Sequence, residues 1–293
     1  NASSATWTSS GTGRFTNPNS LSTPPYTPSA DDIAAGIVTL TLTANSLSCI
    51  NATATKTLLI FSSPTPVAGP TLFTCSTSGA INITSGSSST GHSSIAWSSS
   101  GSGSFTNSTS LTLCTYNPSP SDITAGSVTL TLTAYGNPPC NPIISTKTLT
   151  IRRPMTAVAG TAITTCSSAG AVNITAGSSA TYHTIVTWTS SGTGTFTNPN
   201  SLTTCTYAPS AADITAGSVT LTLTATGIAP CANATSTKVL TISRVMTAAA
   251  GTAISMCTSS ASVNITAGST ATNHTTVTWT SSGTGTFANA NSL

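Results

Sequence analysis

Eight cysteines are the residues in this chain best suited by type and spacing to covalent chemistry. They form three sets: Cys49, Cys140 and Cys231; Cys75, Cys166 and Cys257; and Cys114 with Cys205, with successive members 91 residues apart. Periodic cysteines in a chain with β patterning read first as disulfides, each worth about 2–4 kcal/mol to a small domain. Three per period is an odd number, so one is free or is bonded outside its own module.

The other reactive side chains are thinly spread. His92, His183 and His274 recur at one position per period. A zinc site needs three or four converging ligands, so each is expected to be a solvated loop residue. The acids are Asp31, Asp32, Asp122 and Asp213, and there is no glutamate. Calcium takes six to eight oxygens, which one aspartate per period cannot supply. Ser29/Asp32, Ser119/Asp122 and Ser210/Asp213 have the spacing of a capping box, which gives these aspartates a helix-starting role. No Gly-x-Ser-x-Gly elbow, paired carboxylates or phosphate loop appears. The chain is therefore expected to be no enzyme and to hold no cofactor and no metal.

Charged residues are only 4% of the chain, with a formal net charge of +3. Such sparse positive charge neutralises few phosphates, so nucleic acid is excluded as a partner. Solubility falls to serine and threonine, more than a third of all residues. No apolar run reaches the roughly 20 residues of a membrane span.

The elements that must position these residues follow from a repeat. WTSSGTGRFTNPNSL at Trp7–Leu21 returns in near-copy at Trp97, Trp188 and Trp279, at intervals of 90, 91 and 91 residues. Tandem copying provides length or valency. Within the copy from Pro64 to Arg153, AINIT (80–84), SVTLTLTA (127–134) and TKTLTI (146–151) alternate apolar and polar residues. Period-two alternation rich in Thr, Val, Ile and Leu predicts half-buried strands, about seven per copy, in a two-sheet antiparallel sandwich. Trp97 is expected to open a central strand that turns at Gly101-Ser102-Gly103, with Phe105 starting the return. Tyr116 marks a corner before the long strand. Trp97, Trp188, Tyr116, Tyr207, Phe105 and Phe196 are the expected core aromatics.

The predicted divisions are residues 1–63, the C-terminal part of a truncated repeat; 64–153 and 154–244, two complete repeats; and 245–293, the N-terminal part of another. The chain reads as a window on a longer array. Ile151–Pro154 and Ile242–Val245 pass straight from one module to the next, so a semi-rigid, extended rod is expected.

The corner resembles the tyrosine corner of immunoglobulin-like domains, with Trp97 in the place of their buried tryptophan. The phrases TWTSSGTGTFTNPNSL (187–202) and TYAPSAADITAGSVTLTLTA (206–225), with the AVAG or AAAG openings, resemble the immunoglobulin-like repeats of giant surface proteins in the Bacteroidota. Those proteins include adhesins associated with gliding motility and type IX secretion. The resemblance implies an extracellular, multi-repeat adhesin or filament with no catalytic residues. Cys114 and Cys205 depart from the commoner pattern, which has threonine there.

In immunoglobulin order three cysteine pairings remain open, since bridged Cα atoms must approach within about 7 Å. Cys75 with Cys231 would staple neighbouring modules and ranks first. Cys75–Cys114 with Cys166–Cys205, inside modules, ranks second. Cys75–Cys140 requires opposite ends of one sandwich to meet and ranks third. The expected function is a structural, adhesive segment whose partners are further copies of the repeat along the chain and identical chains in a filament. The alternative is a multivalent carbohydrate-binding module in which the loop around His92 and Cys140 recognises a surface glycan.

Overall fold

A threonine-rich chain with few charges satisfies its backbone most completely in sheets, where branched side chains stand clear of the ladder. The computed structural model describes residues 4–22 and 24–293, and among these it is an all-β protein with three single-turn helices. It divides into two units, residues 1–153 and 154–293.

In the first unit, residues 64–153 form a sandwich. One sheet has the order His92–Ser99, Ser127–Gly136, Ile143–Arg152, Leu72–Cys75. Its pairs are antiparallel except the last, where Leu72–Cys75 runs parallel to the end of Ile143–Arg152. The facing sheet is Ser104–Thr106, Thr115–Asn117, Ile81–Asn82, and Thr65–Val67 pairs with Ser88–Thr90 at one side. This is the immunoglobulin-like arrangement, in which a short early strand joins the last strand in parallel.

The register explains the core. Val128, Leu130, Leu132 and Ala134 share one face of the long strand, and all four are buried. Leu149 and Ile151 meet them from the neighbouring strand, Ile83 and Tyr116 from the facing sheet. Truncating a fully buried leucine such as Leu130 to alanine would cost about 2–5 kcal/mol. Trp97 does not open its strand as expected; the strand begins five residues earlier at His92.

Residues 1–63 carry only part of this arrangement. Ser4–Ser9, Ile37–Asn45 and Ala52–Leu59 make a three-stranded sheet, and Arg14–Phe15 pairs with Tyr26–Thr27. Leu40 and Leu42, the counterparts of fully buried Leu130 and Leu132, are half-buried.

In the second unit, residues 154–244 repeat the sandwich. Ile185–Ser190, Ser218–Thr226, Ala234–Ser243 and Ile163–Cys166 form one sheet in the same order. Thr195–Thr197, Thr206–Ala208 and Val172–Asn173 form the other. In residues 245–293 the one pairing among the described residues joins Thr247–Ala249 to Thr270–Thr272.

Candidate functional site

The recurring aspartate lies at one corner of its repeat, beside a capped helix and a tyrosine. Ser119 caps the helix Pro120–Ala125: its hydroxyl accepts from the Asp122 amide, and the Asp122 carboxylate accepts from the Ser119 amide. Gly126 closes the helix in the left-handed conformation, φ 78°, which a residue without Cβ adopts at no steric cost.

Asp122 does far more than cap. Its Oδ2 accepts from the Tyr116 hydroxyl at 2.7 Å, the Ser119 amide at 3.0 Å and the Gly103 amide at 3.0 Å. Its Oδ1 accepts from the Ser102 amide at 3.0 Å. One carboxylate thus ties the hairpin turn, the corner tyrosine and the helix together. Asp213 makes the same four bonds to Tyr207, Ser210, Gly194 and Thr193, and Asp32 makes them to Tyr26, Ser29, Gly13 and Thr12. The turn tolerates only glycine, because a Cβ on Gly103 would lie 2.4 Å from the Asn117 carbonyl oxygen.

Burial pushes the Asp122 and Asp213 carboxyls up, but the tyrosine hydroxyl and backbone amides outweigh it, and both sit below the usual carboxylate range. Asp32 is held at about 2, first by the Ser29 amide and then by the Tyr26 hydroxyl. Donors that stabilise the ionised form in this way make the carboxylate a weak base.

The sequence pattern gave these aspartates the capping role alone. The fuller role was signalled by a fixed spacing: Gly13, Tyr26, Asp32; Gly103, Tyr116, Asp122; Gly194, Tyr207, Asp213. Lys147 and Lys238 are core residues. Each shares the parity of the inward-facing residues that follow it, Leu149 and Ile151 or Leu240 and Ile242, and is only 5% exposed. Lys147 Nζ donates to the Ile83 carbonyl and to Ser87 Oγ at 3.3 Å, and lies 5.1 Å from the centre of the Trp97 ring. Lys238 donates to the Ile174 carbonyl and sits over Trp188 in the same way.

Trp97, Trp188, Tyr116 and Tyr207 are buried. Phe105 and Phe196, expected in the core, are half-buried instead. Their short strands lie at the edge of the smaller sheet, where each ring covers its tyrosine at a centroid distance of 4.8 Å.

The cysteines divide sharply. Cys75 and Cys231 are disulfide-bonded, and the other six are free thiols. Neither pairing expected within modules, Cys75–Cys114 with Cys166–Cys205 or Cys75–Cys140, is present. Cys114 and Cys205 instead fill core positions beside the buried lysines, and burial pushes each thiol up to about 11. Cys49, Cys166 and Cys257 are exposed, and Cys140 is half-buried with its thiol donating to the Phe61 carbonyl at 3.4 Å. Hydrogen bonds from Ser168 to Cys166 Sγ and from Ser259 to Cys257 Sγ lower both of these thiols.

The histidines are less uniform than expected. His274 is exposed, whereas His92 and His183 are half-buried, each with an Nδ1 that is shielded from solvent and has no hydrogen-bond partner. Among the described residues no group of three or more His, Cys, Asp or Glu converges as a metal site. No helix among them is long and apolar enough to cross a membrane.

No family model and no curated protein matches the chain. Solved structures with similarity include three immunoglobulin domains of titin, I67–I69, in a glutamate-to-alanine variant; identity is 16%, coverage 82% of this chain and 87% of that one, and the TM-score 0.46. Extracellular domains 3–5 of Drosophila OTK share 12% identity, cover 82% and 85%, and score 0.41. Domains EC22–24 of mouse cadherin-23 share 13%, cover 82% and 86%, and score 0.36. With scores this low, the fold assignment rests on the strand topology described above.

Proposed function

We propose that this chain is a structural, adhesive stretch of a long extracellular bacterial surface protein or filament, of the type formed by tandem immunoglobulin-like repeats in Bacteroidota adhesins. Its repeats are bounded at 63/64, 153/154 and 244/245. Successive repeats are stapled by Cys75 to Cys231, so that pull passes through the disulfide as well as through the strand ladders.

One observation carries this reading. Two ionisable groups that recur in every complete repeat, the Asp122 and Lys147 positions, are buried and occupied by hydrogen bonds from their own repeat. Both side chains are therefore spent on holding the module closed, which suits a mechanical unit. The two disulfide-bonded cysteines are also those of the first-ranked pairing.

Proteolysis without reduction tests the staple. Recovery of a peptide joining Cys75 to Cys231 supports the reading, and Cys75 joined to Cys114 or Cys140 overturns it.

A further inference from the structure

In each complete repeat the larger sheet turns one face to the core, and its outward face is mostly threonine. Thr129, Thr131 and Thr133 alternate with the buried residues of the long strand, and Thr146, Thr148 and Thr150 do the same on its neighbour. The register sets them side by side, Thr129 opposite Thr148 and Thr131 opposite Thr146, with Ser98 next to Thr131 on the other flank. Residues 154–244 repeat the grid. Thr189, Thr222 and Thr237 form one row across three strands, and Thr187, Thr224 and Thr235 form the next. Thr129, Thr146 and Thr148 are exposed, as are Thr220, Thr235 and Thr237.

Charge is missing from this face. Asp122, Lys147, Asp213 and Lys238 are buried, and Arg244 turns to the carbonyls of Ile214 and Thr215. Arg152 alone shares the outward parity, at the end of its strand and beside the Phe73 ring. Ser243 takes its place in the second complete repeat. Charges are what keep sheet surfaces from associating. Large apolar side chains are exposed there instead. Tyr135 and Ile144 continue the grid at one end, and Phe73 lies beside Thr150 at the other. Ile185 and Val239 are exposed on the same face of the second complete repeat. Apolar groups gathered on one face mark a surface that meets a partner.

We propose that the partner is a second copy of this chain, the threonine face of one complete repeat stacking on the threonine face of another. On the filament reading above, this face is the surface through which chains associate side by side. Hydroxyls make it complementary to itself: each donates one hydrogen bond and accepts others, so two identical grids satisfy one another without opposite charges. The γ-methyls supply apolar contact, and branching at Cβ leaves each side chain few rotamers to lose on docking.

The size fits as well. Four strands about 4.8 Å apart, the longest paired over eight residues at about 3.4 Å each, give a face of roughly 500 Å². A stacked pair covers about 1,000 Å², the lower bound for a specific interface. A tandem array offers that contact once per repeat, so weak contacts add along the chain. The smaller sheet has strands of two or three residues and no comparable face.

Sedimentation velocity of the full chain over a concentration series tests this against two double variants. Thr146→Lys/Thr237→Lys charges both threonine faces, and Thr106→Lys/Thr197→Lys puts the same charges on the smaller sheets. The unmodified chain should associate reversibly, with a dissociation constant that moves less than about twofold between about 0.05 and 1 M salt, because no ion pair is screened. The first variant should weaken association by about tenfold or more, since like charges are brought together. The second should leave it unchanged. Thr146→Ser/Thr237→Ser, which keeps the hydroxyls and the neutral surface, should weaken association several-fold by removing γ-methyls. A monomer at every concentration, equal weakening by the two lysine variants, or dissociation in high salt overturns the proposal. So does a monomer whose threonine face takes up a glycan instead, seen as binding on a glycan array that only the first variant loses. Monomers in which Cys75 is still joined to Cys231 sink this inference alone. Association of a chain without that bridge supports the face and sinks the staple.

Discussion

The Tyr116 hydroxyl donates to Asp122 Oδ2 at 2.7 Å, six residues along the chain and across the corner between a short strand and a helix turn. The same carboxylate gathers three backbone amides from the capped helix and the hairpin turn. Removing either partner should therefore cost unequal amounts. In the full chain, Tyr116→Phe should lower the stability of its repeat by about 1.5–3 kcal/mol, the worth of one hydrogen bond to a charged group. Asp122→Ala should cost about 3 kcal/mol or more, because three amides lose their acceptor as well. Urea unfolding of the two variants measures this; equal losses would contradict the hub role of Asp122.

Acid should act through these same carboxylates. Their folded pKa values lie below the unfolded value near 4, with Asp32 at about 2. The unfolded chain therefore takes up protons first, and stability is lost as pH falls through that window. The urea midpoint should be level above about pH 5 and decline between roughly pH 4 and 2. Asp122→Asn should flatten part of that decline. A midpoint unchanged from pH 6 to pH 3 would refute the assignment.

Thiol reactivity should sort the cysteines into three classes. In the folded chain a maleimide should modify Cys49, Cys140, Cys166 and Cys257, with Cys166 and Cys257 fastest because their lowered pKa enlarges the thiolate fraction. Cys114 and Cys205 should react only after unfolding, and Cys75 and Cys231 only after reduction. Modification of Cys114 in the folded chain at a rate close to that of Cys166 would show that its core position is wrong.

Much of this architecture was legible in the sequence, because period-two alternation in Ser127–Gly136 leaves no other face for Val128, Leu130 and Leu132 to bury. The capping boxes were equally plain, since Ser119 and Asp122 satisfy a local rule. What escaped was non-local. Asp122 reaches back about twenty residues to the amides of Ser102 and Gly103, and only the threefold recurrence of that spacing could have revealed it. Net charge says nothing of where Lys147 sits, although its parity with Leu149 aims it at Trp97. Phe105 looked like core, but a three-residue edge strand cannot bury it fully. The choice among cysteine pairings depended on how strand ends meet in space, which periodicity does not encode.

The central claim is that disulfide-stapled repeats carry tension, and single-molecule pulling on the intact chain tests it most directly. The bridge proposed from Cys75 to Cys231 would withhold the 155 residues between them from extension. Adding reductant should lengthen the fully unfolded chain by about 500 Å, at roughly 3.4 Å per residue. Equal contour lengths with and without reductant would contradict the account.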